Sequence, residues 1–416
     1  MKILYLSLTA FFLLCLSACG GGGGGGSSST ATPSNTAPGA STTTSYTAGA
    51  QIGELVSFSV TNDASGNPAS YSYVITKSAF GCEVASATCH TGSGTLALNS
   101  DGTYTPSQFP QSRLRILANG LLFGAIQVPV NGVNTTVPIV GMQNPATSLS
   151  DFADAGGTIY NWTEFVCTTP GGVGGSCSTK IGTARVNSDG TFYSCNGYNL
   201  ADTGTGVNSG NSTNCPTSPY TANTSNGKMV SNGDGTWAIQ TTNYAAQNTY
   251  YNVGTFIAFR DPTTGQRVAI FDIQDKTYGG NGWGYGQIIA ASQSAITMAQ
   301  GAGTWVGNQY WTNSTPHNQF VKSVMTNPSN SATTLTMNGT SSSSSGSNAY
   351  SGTLLGNSVN IHGSAGAWNG FASPSTDASE VDLLAGNGFY MGVSGLTVNG
   401  TAYPSRIMVS TGFKLQ

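Results

Sequence analysis

The sequence has little charge. Only 7% of its 416 residues are Asp, Glu, Lys or Arg, where about 25% is usual. Thirteen basic residues face 16 acidic ones, for a formal net charge of −3. No basic field exists to draw in nucleic acid, and there is no charged tail. Histidine is scarcer still, at three residues. This argues against a His-rich metal centre and leaves His90, His317 and His362 as the available imidazole bases, none beside a recognisable nucleophile. The chain has no G-x-S-x-G elbow, no G-x-x-x-x-G-K-[ST] phosphate loop, no H-E-x-x-H pair and no dinucleotide fingerprint. No cofactor is implied. Helical periodicity is almost missing too, which argues against a bundle.

Glycine is abundant, at 57 residues, about twice its usual share. Hydrophobic residues make up 38% and aromatics 10%, enough to build a core. The length suits two ordinary domains or one large β domain.

The N-terminus reads as an export signal. Lys2 supplies a positive start, and Ile3 to Leu16 is a nearly unbroken apolar run. That run is short for a membrane span, which needs about 20 residues, and it fits a signal-peptide core. Leu16-Ser17-Ala18-Cys19 follows. On these residues the chain resembles bacterial lipoproteins, whose lipobox is Leu, a small residue, Ala or Gly, then Cys. The resemblance implies cleavage before Cys19 and acylation of its sulfur and new amino group. The acyl chains, palmitate among them, would anchor the protein in a membrane. Gly20 stands where inner-membrane lipoproteins of this type often carry Asp, so the outer membrane is the expected destination. Each buried methylene contributes about 0.8 kcal/mol, and several chains hold where one holds marginally.

Residues 1–18 are thus expected to be a signal peptide, and 19–49 a tether. Seven glycines, Gly20 to Gly26, open the tether, and Ser, Thr and Pro fill the rest. Such a segment has nothing to bury against its chain entropy and reaches about 30 Å. With Cys15 in the signal and Cys19 in the anchor, six cysteines remain of eight. In an exported chain an even number reads as disulfides. Nearest-neighbour pairing gives Cys82–Cys89, Cys167–Cys177 and Cys195–Cys215, each bracketing a segment of small residues. No C-x₂-C spacing supports zinc.

From residue 50 onward the apolar period is two. Val56, Phe58 and Val60 alternate, as do Tyr71, Tyr73 and Ile75; Tyr160, Trp162, Glu164 and Val166; and Ile407, Val409, Thr411 and Phe413. Asn99-Ser100-Asp101-Gly102-Thr103-Tyr104 is echoed at Asn187 to Phe192 and Asn232 to Trp237. These are hairpin turns of the type I′ kind, in which Asp-Gly tolerates positive φ. An all-β fold follows, an antiparallel barrel or a sandwich, with a small β domain over 50–145 and a larger one over 146–416. A short helix near Leu149–Ala155 followed by a meander suits an up-and-down barrel. A second helix is expected over Asp377–Gly386, which has an Asp cap, Glu three residues later and a closing Gly. Low charge and alternating aromatics also fit a membrane-spanning barrel; the acyl anchor, the disulfides and the non-aromatic C-terminus argue against one.

Two sets of residues could carry function. Asp272 shares a strand face with Val268 and Ile270 and is the candidate carboxylate of a polysaccharide hydrolase, or else pairs with Arg260 or Arg267 across the hairpin. Tyr278, Trp283 and Tyr285, interleaved with five glycines, offer flat faces for stacking on sugar or peptide. Trp305, Tyr310 and Trp311 form a second aromatic group, with Trp305 expected in the core. Asp151 and Asp154 read as helix-start charges. The leading expectation is a membrane-anchored lipoprotein with a binding or structural role at the cell envelope. The alternatives are an exported hydrolase and an adhesin recognising glycan or protein.

Overall fold

A computed structural model describes residues 41–130, 132–167, 177–199, 227–242, 250–274, 284–293, 297–311, 318–327, 330, 334–343, 346–356, 367–373, 379–384, 388–394, 397–398, 401–402 and 408–415. The fold is all-β, and from Ser41 onward it forms one compact unit.

Eight strands make an N-terminal sheet: β1 (Thr43–Ala50), β2 (Leu55–Asn62), β3 (Pro68–Lys77), β4 (Thr91–Leu98), β5 (Tyr104–Pro106), β6 (Arg115–Ile116), β7 (Leu121–Val130) and β8 (Val133–Met142). Their order is β5-β4-β3-β2-β1-β8-β7-β6. The sheet curls until its two edges meet at one antiparallel bridge, Tyr104 to Leu114. The first strand therefore begins inside the segment assigned to the tether. Tyr46, Ala48 and Ala50 alternate inward and are buried, a pattern hidden among small residues.

After a single 3-10 turn (Leu149–Asp151) come β9 (Thr158–Cys167), β10 (Cys177–Val186), β11 (Thr191–Asn199), β12 (Gly227–Ser231), β13 (Trp237–Thr242), β14 (Tyr250–Arg260), β15 (Arg267–Ile273) and β16 (Tyr285–Ser292). They close into an eight-stranded up-and-down barrel, β16 pairing with β9. The one-turn helix α1 (Met298–Gly301) then leads into β17 (Gly303–Trp311), β18 (Asn318–Thr326), β19 (Thr334–Ser343), β20 (Gly346–Gly356), β21 (Ala367–Ser373), β22 (Ser379–Leu384) and β23 (Phe389–Ser394). A two-stranded hairpin, β24 (Thr397–Val398) and β25 (Thr401–Ala402), precedes β26 (Met408–Lys414), which closes a second barrel against β17. Residues 146–416 thus hold two barrels where the sequence suggested one larger domain. The helix expected over Asp377–Gly386 is strand β22, paired with β21 and β23. Closing the barrel requires a strand at that place, and its ladder overrides a local capping pattern.

Eight strands leave an interior that side chains can just fill. Trp237, Phe256, Phe271, Met229 and Val166 fill the first lumen, and Trp305, Met325, Leu335, Met337 and Tyr390 the second. A membrane-spanning barrel has the reverse pattern, with a polar lumen. The outer walls are apolar where they meet the sheet. Phe123 packs on Phe389 and Phe413, and Phe165 of the first barrel packs on Tyr310 of the second.

Some of the glycines have a structural cause. Aromatic rings lie over glycines on neighbouring strands: Tyr71 over Gly94, Tyr73 over Gly92, Tyr350 over Gly339 and Tyr390 over Gly412. A Cβ at Gly94 would sit 2.7 Å from the Tyr71 hydroxyl. The pairing packs large rings flat against backbone and so removes apolar area from water.

The three repeated turns share one hydrogen-bond set. In each, Thr donates its amide and its hydroxyl to the Asp two residues earlier, the hydroxyl bond being 2.6 Å long. The Asn side chain bonds the same Thr. Gly102, Gly190 and Gly235 take positive φ of 75°, 84° and 84°, whereas the Asp before each does not. The turns are therefore three-residue loops with a glycine bulge in place of type I′ turns. Burial opposes the charge of Asp101 and Asp189, but the Thr bonds outweigh it; at Asp234 the Thr236 hydroxyl bond is the larger influence. All three carboxyls are held below their usual range.

The solvent face of β1–β4 carries three aligned rows: Thr43, Thr61, Ser70 and Thr95; Ser45, Ser59, Ser72 and Ser93; Thr47, Ser57, Val74 and Thr91. All are exposed or half-buried, and none is charged.

Gly92→Ala is expected to destabilise the protein by about 1–3 kcal/mol through overpacking against Tyr73, measured by urea unfolding. The cost should shrink when Tyr73→Leu is also present; an equal cost in both backgrounds would disprove the ring-over-glycine account.

Candidate functional site

The two ends of the first barrel differ. At one end the connections are tight: the Asn187 turn, the Asn232 turn and Asp261–Gln266. Asp261 caps the last of these, accepting the Thr263 and Thr264 amides at 2.8 and 3.0 Å. The segment before β9 plugs that same end. Phe152 sits edge-on to Trp237 and Phe256 with centroids 4.8 and 5.3 Å apart. The Trp237 indole donates to the Ala146 carbonyl at 2.8 Å, and the Tyr160 hydroxyl donates to the Phe152 carbonyl at 2.6 Å. Arg267 fastens the plug, donating to the Asp151 carbonyl at 3.0 Å and pairing with Asp154 at 2.6 Å. Asp151 closes a capping box with Ser148.

All the long connections leave the opposite end. Residues 168–176, 200–226, 243–249 and 275–283 join the strands there and lie outside the described residues. The rim they leave from is described. Cys167 and Cys177 are directly opposed on β9 and β10 and form a disulfide. Tyr285, on the other side of Cys167, is its register partner on β16. Against this rim the N-terminal sheet sets its own disulfide loop, Cys82–Cys89. Phe80 meets the edge of Tyr285 with centroids 5.0 Å apart. Ser78 holds the loop from below, accepting the Phe80 and Cys82 amides at 2.9 and 3.0 Å, and His90 Nδ1 donates to the Cys82 carbonyl at 2.9 Å. Val84 projects from the loop, 52% exposed.

Several expected residues take other places. Tyr285 is 3% exposed and packs in the core, so it offers no stacking face; its ring supports the rim. Tyr278 and Trp283 lie outside the described residues, on the connection that leaves the rim beside it. Cys215 and the side chain of Cys195 are also outside them, so the third expected bridge is not described. His317 and His362 fall outside as well, and His90 serves the loop. The second aromatic group is split: Trp305 is core of the second barrel, whereas Tyr310 faces Phe165 on the outside.

Asp272 does not line a cleft. It is fully buried on the outer wall of the barrel, beneath β1. A Cβ at Gly49 would be 2.7 Å from both of its carboxyl oxygens. Neither arginine pairs with it: Arg267 is committed to the plug, and Arg260 is exposed. Its register neighbours are Thr255 and Gln287, and the Gln287 amide donates to it at 2.9 Å. The alternation that places Asp272 with Val268 and Ile270 is correct; the covered face is the sheet contact instead of the lumen. A carboxyl sealed this way cannot reach a polysaccharide, which removes Asp272 as a hydrolytic residue.

Two acids escaped the sequence reading. Glu164 points into the first lumen, 5% exposed, and its register partner on β10 is Lys180. Glu54 is fully buried at the end of the β1–β2 turn and accepts the Ala79 amide at 3.2 Å. Burial pushes the Glu54 carboxyl up to about 8, and hydrogen bonds from Ser78 and Ala79 only partly offset this. Burial also raises Asp272 well above the ordinary carboxylate range, with the Gln287 bond opposing it and the charge of Glu54 adding to it. The signal for Glu54 was Gly53-Glu54 between two apolar strands, which reads like any exposed turn. No group of three or more His, Cys, Asp or Glu able to hold a metal occurs among the described residues.

No protein-family model matches the chain, and no curated protein matches it. Among solved structures it is similar to a protein of unknown function from the DUF3598 family of Nostoc punctiforme. The identity is 8% and the TM-score 0.22, over 65% of this chain and 99% of that one. A likeness at that level carries nothing about function.

Non-reducing peptide mapping of the purified protein should recover Cys82–Cys89 and Cys167–Cys177 as local bridges. Replacing Cys82 and Cys89 together by Ser is expected to cost about 2–3 kcal/mol on chain-entropy grounds; an unchanged unfolding midpoint would refute a stabilising role for that loop closure.

Proposed function

We propose that the protein is an exported lipoprotein of the bacterial outer membrane, anchored through acylated Cys19, that binds a ligand at the end of its first barrel from which the long connections leave. The observation that carries this reading is the asymmetry of that barrel. One end is plugged by Phe152 and tight turns. Every long connection leaves from the other, at a rim braced by one disulfide and faced by a second. Loops positioned by a rigid scaffold are where binding residues concentrate. The lipobox on Leu16-Ser17-Ala18-Cys19 supports the anchor, and the Gly/Ser/Thr segment after it supplies the leash.

A neutral glycan is the ligand class the chemistry favours. Charged residues are few, and the β1–β4 face is hydroxyl-rich, so recognition proceeds by hydrogen bonds and stacking without long-range steering. Tyr278 and Trp283 stand among glycines in the sequence that joins β15 to β16, and flat aromatic rings are what stacking on sugar uses. A protein ligand is the competing outcome, and no role for nucleic acid, metal or cofactor enters the reading.

A glycan and matrix-protein array probed with residues 41–416 tests it. Wild type should retain neutral glycans, and Trp283→Ala should lose at least about tenfold in affinity, near 1.4 kcal/mol. Retention of matrix proteins alone would replace the glycan, and equal binding by the variant would remove the rim from the function. Separately, Cys19→Ser should leave the membrane fraction; continued membrane association would defeat the anchor.

A further inference from the structure

The seam between the N-terminal sheet and the first barrel contains two carboxyls that no chemistry described above uses. Asp272 and Glu54 are both fully buried. Asp272 Oδ1 accepts from Gln287, and Glu54 Oε1 accepts the Ala79 amide, but Asp272 Oδ2 and Glu54 Oε2 have no hydrogen-bond partner. Gly49 lies directly on Asp272, and Gly53, at φ 91°, packs on the Ile273 and Gly286 backbone.

Among the described residues no cation offsets the pair. Lys77 follows Thr76 at the end of β3, and its Nζ donates to the Thr255 hydroxyl at 2.7 Å; Thr255 is the register neighbour of Asp272. Neither carboxyl makes an ion pair among the described residues. From the disulfide loop, Glu83 adds negative charge toward Glu54, and His90 is turned to the Cys82 carbonyl. The groups that β14, β15 and β16 bring to the seam are Thr255, Asp272 and Gln287. Two buried, mutually repelling acids without a counter-ion favour the neutral form.

Their position gives this chemistry a mechanical reach. Glu54 ties the β1–β2 turn to Ala79, and Ala79 precedes Phe80, which packs on Tyr285 at the rim. We propose that Glu54 and Asp272 form a proton-operated lock that holds the disulfide loop against the Tyr285 rim of the first barrel, tight when both are protonated and looser as they ionise. Only the link to recognition rests on the binding function proposed above; the lock itself rests on the seam.

The sign follows from linkage. A carboxyl raised in the folded state contributes stability that is complete below its unfolded value, about 4, and declines as pH rises toward its folded value, about 8 for Glu54. Across that window each such group shifts the opening equilibrium by about tenfold per pH unit.

Hydrogen exchange on the ligand-free mature chain tests the lock without reference to any ligand. Measurements at about pH 5.5 and about pH 8, corrected for the intrinsic base dependence of exchange, should show opening of residues 49–56 and 78–90 rising by at least about tenfold per unit. Plugged-end peptides around 146–153 should not follow. In the Glu54→Gln, Asp272→Asn double variant the rise should vanish. If that variant fails to fold, each single replacement should lower the slope. A flat wild-type profile, or an unchanged slope in both single variants, would overturn the lock. So would stabilisation by excess CaCl₂ at the higher pH that EDTA reverses, since the pair would then be a cation site.

Discussion

The architecture depends on burying both faces of the same strands. In β15, Phe271 and Ile273 point into the barrel, while Val268, Ile270 and Asp272 point outward beneath the sheet, and all are buried. A lone eight-stranded barrel satisfies only its inner face. Here the outer walls of two barrels supply the cover that the sheet needs, and the sheet supplies theirs. The β1–β2 turn is driven into this contact. Gln51 donates to Thr411 of the second barrel at 3.3 Å, while Gly53 and Glu54 face the first. One short turn thereby touches all three bodies.

Much of the fold was legible because it is written with period two. Alternation at Phe58 and Val60, at Tyr71 and Tyr73, and at Tyr160 and Trp162 named strands and their buried parity. The Asn-x-Asp-Gly-Thr repeats marked hairpins, although the turn geometry differs from the expected kind. Two disulfides followed from proximity in sequence. What alternation cannot supply is which compartment a buried face enters. Asp272 was read as a catalytic carboxylate or an arginine partner, and Tyr285 as a stacking face, because a strand covered on both sides looks, in sequence, like one covered on a single side. The segment now seen as β22 failed for another reason: its Asp and Glu imitate a capped helix, and the register that makes it a strand is set by residues on β21 and β23.

The candidate site was less legible than the fold. The rim is assembled from Phe80 in the sheet and from Cys167 and Tyr285 in the barrel, more than eighty residues apart in sequence. No local motif announces such a meeting. Composition did anticipate an uncharged sheet face: the aligned Ser and Thr rows of β1–β4 are what so little charge becomes once folded.

Strand order also carries a temporal meaning. Each barrel is sealed by its own first and last strands and comes after the sheet in the chain. A chain that emerges N-terminus first can therefore assemble the sheet before the barrels are available. Until they arrive, Phe123 has no Phe389 or Phe413 to meet and Phe80 has no Tyr285. For that interval the sheet is a sticky, half-finished surface, which favours either rapid delivery of the remainder or an escort that shields the bare side.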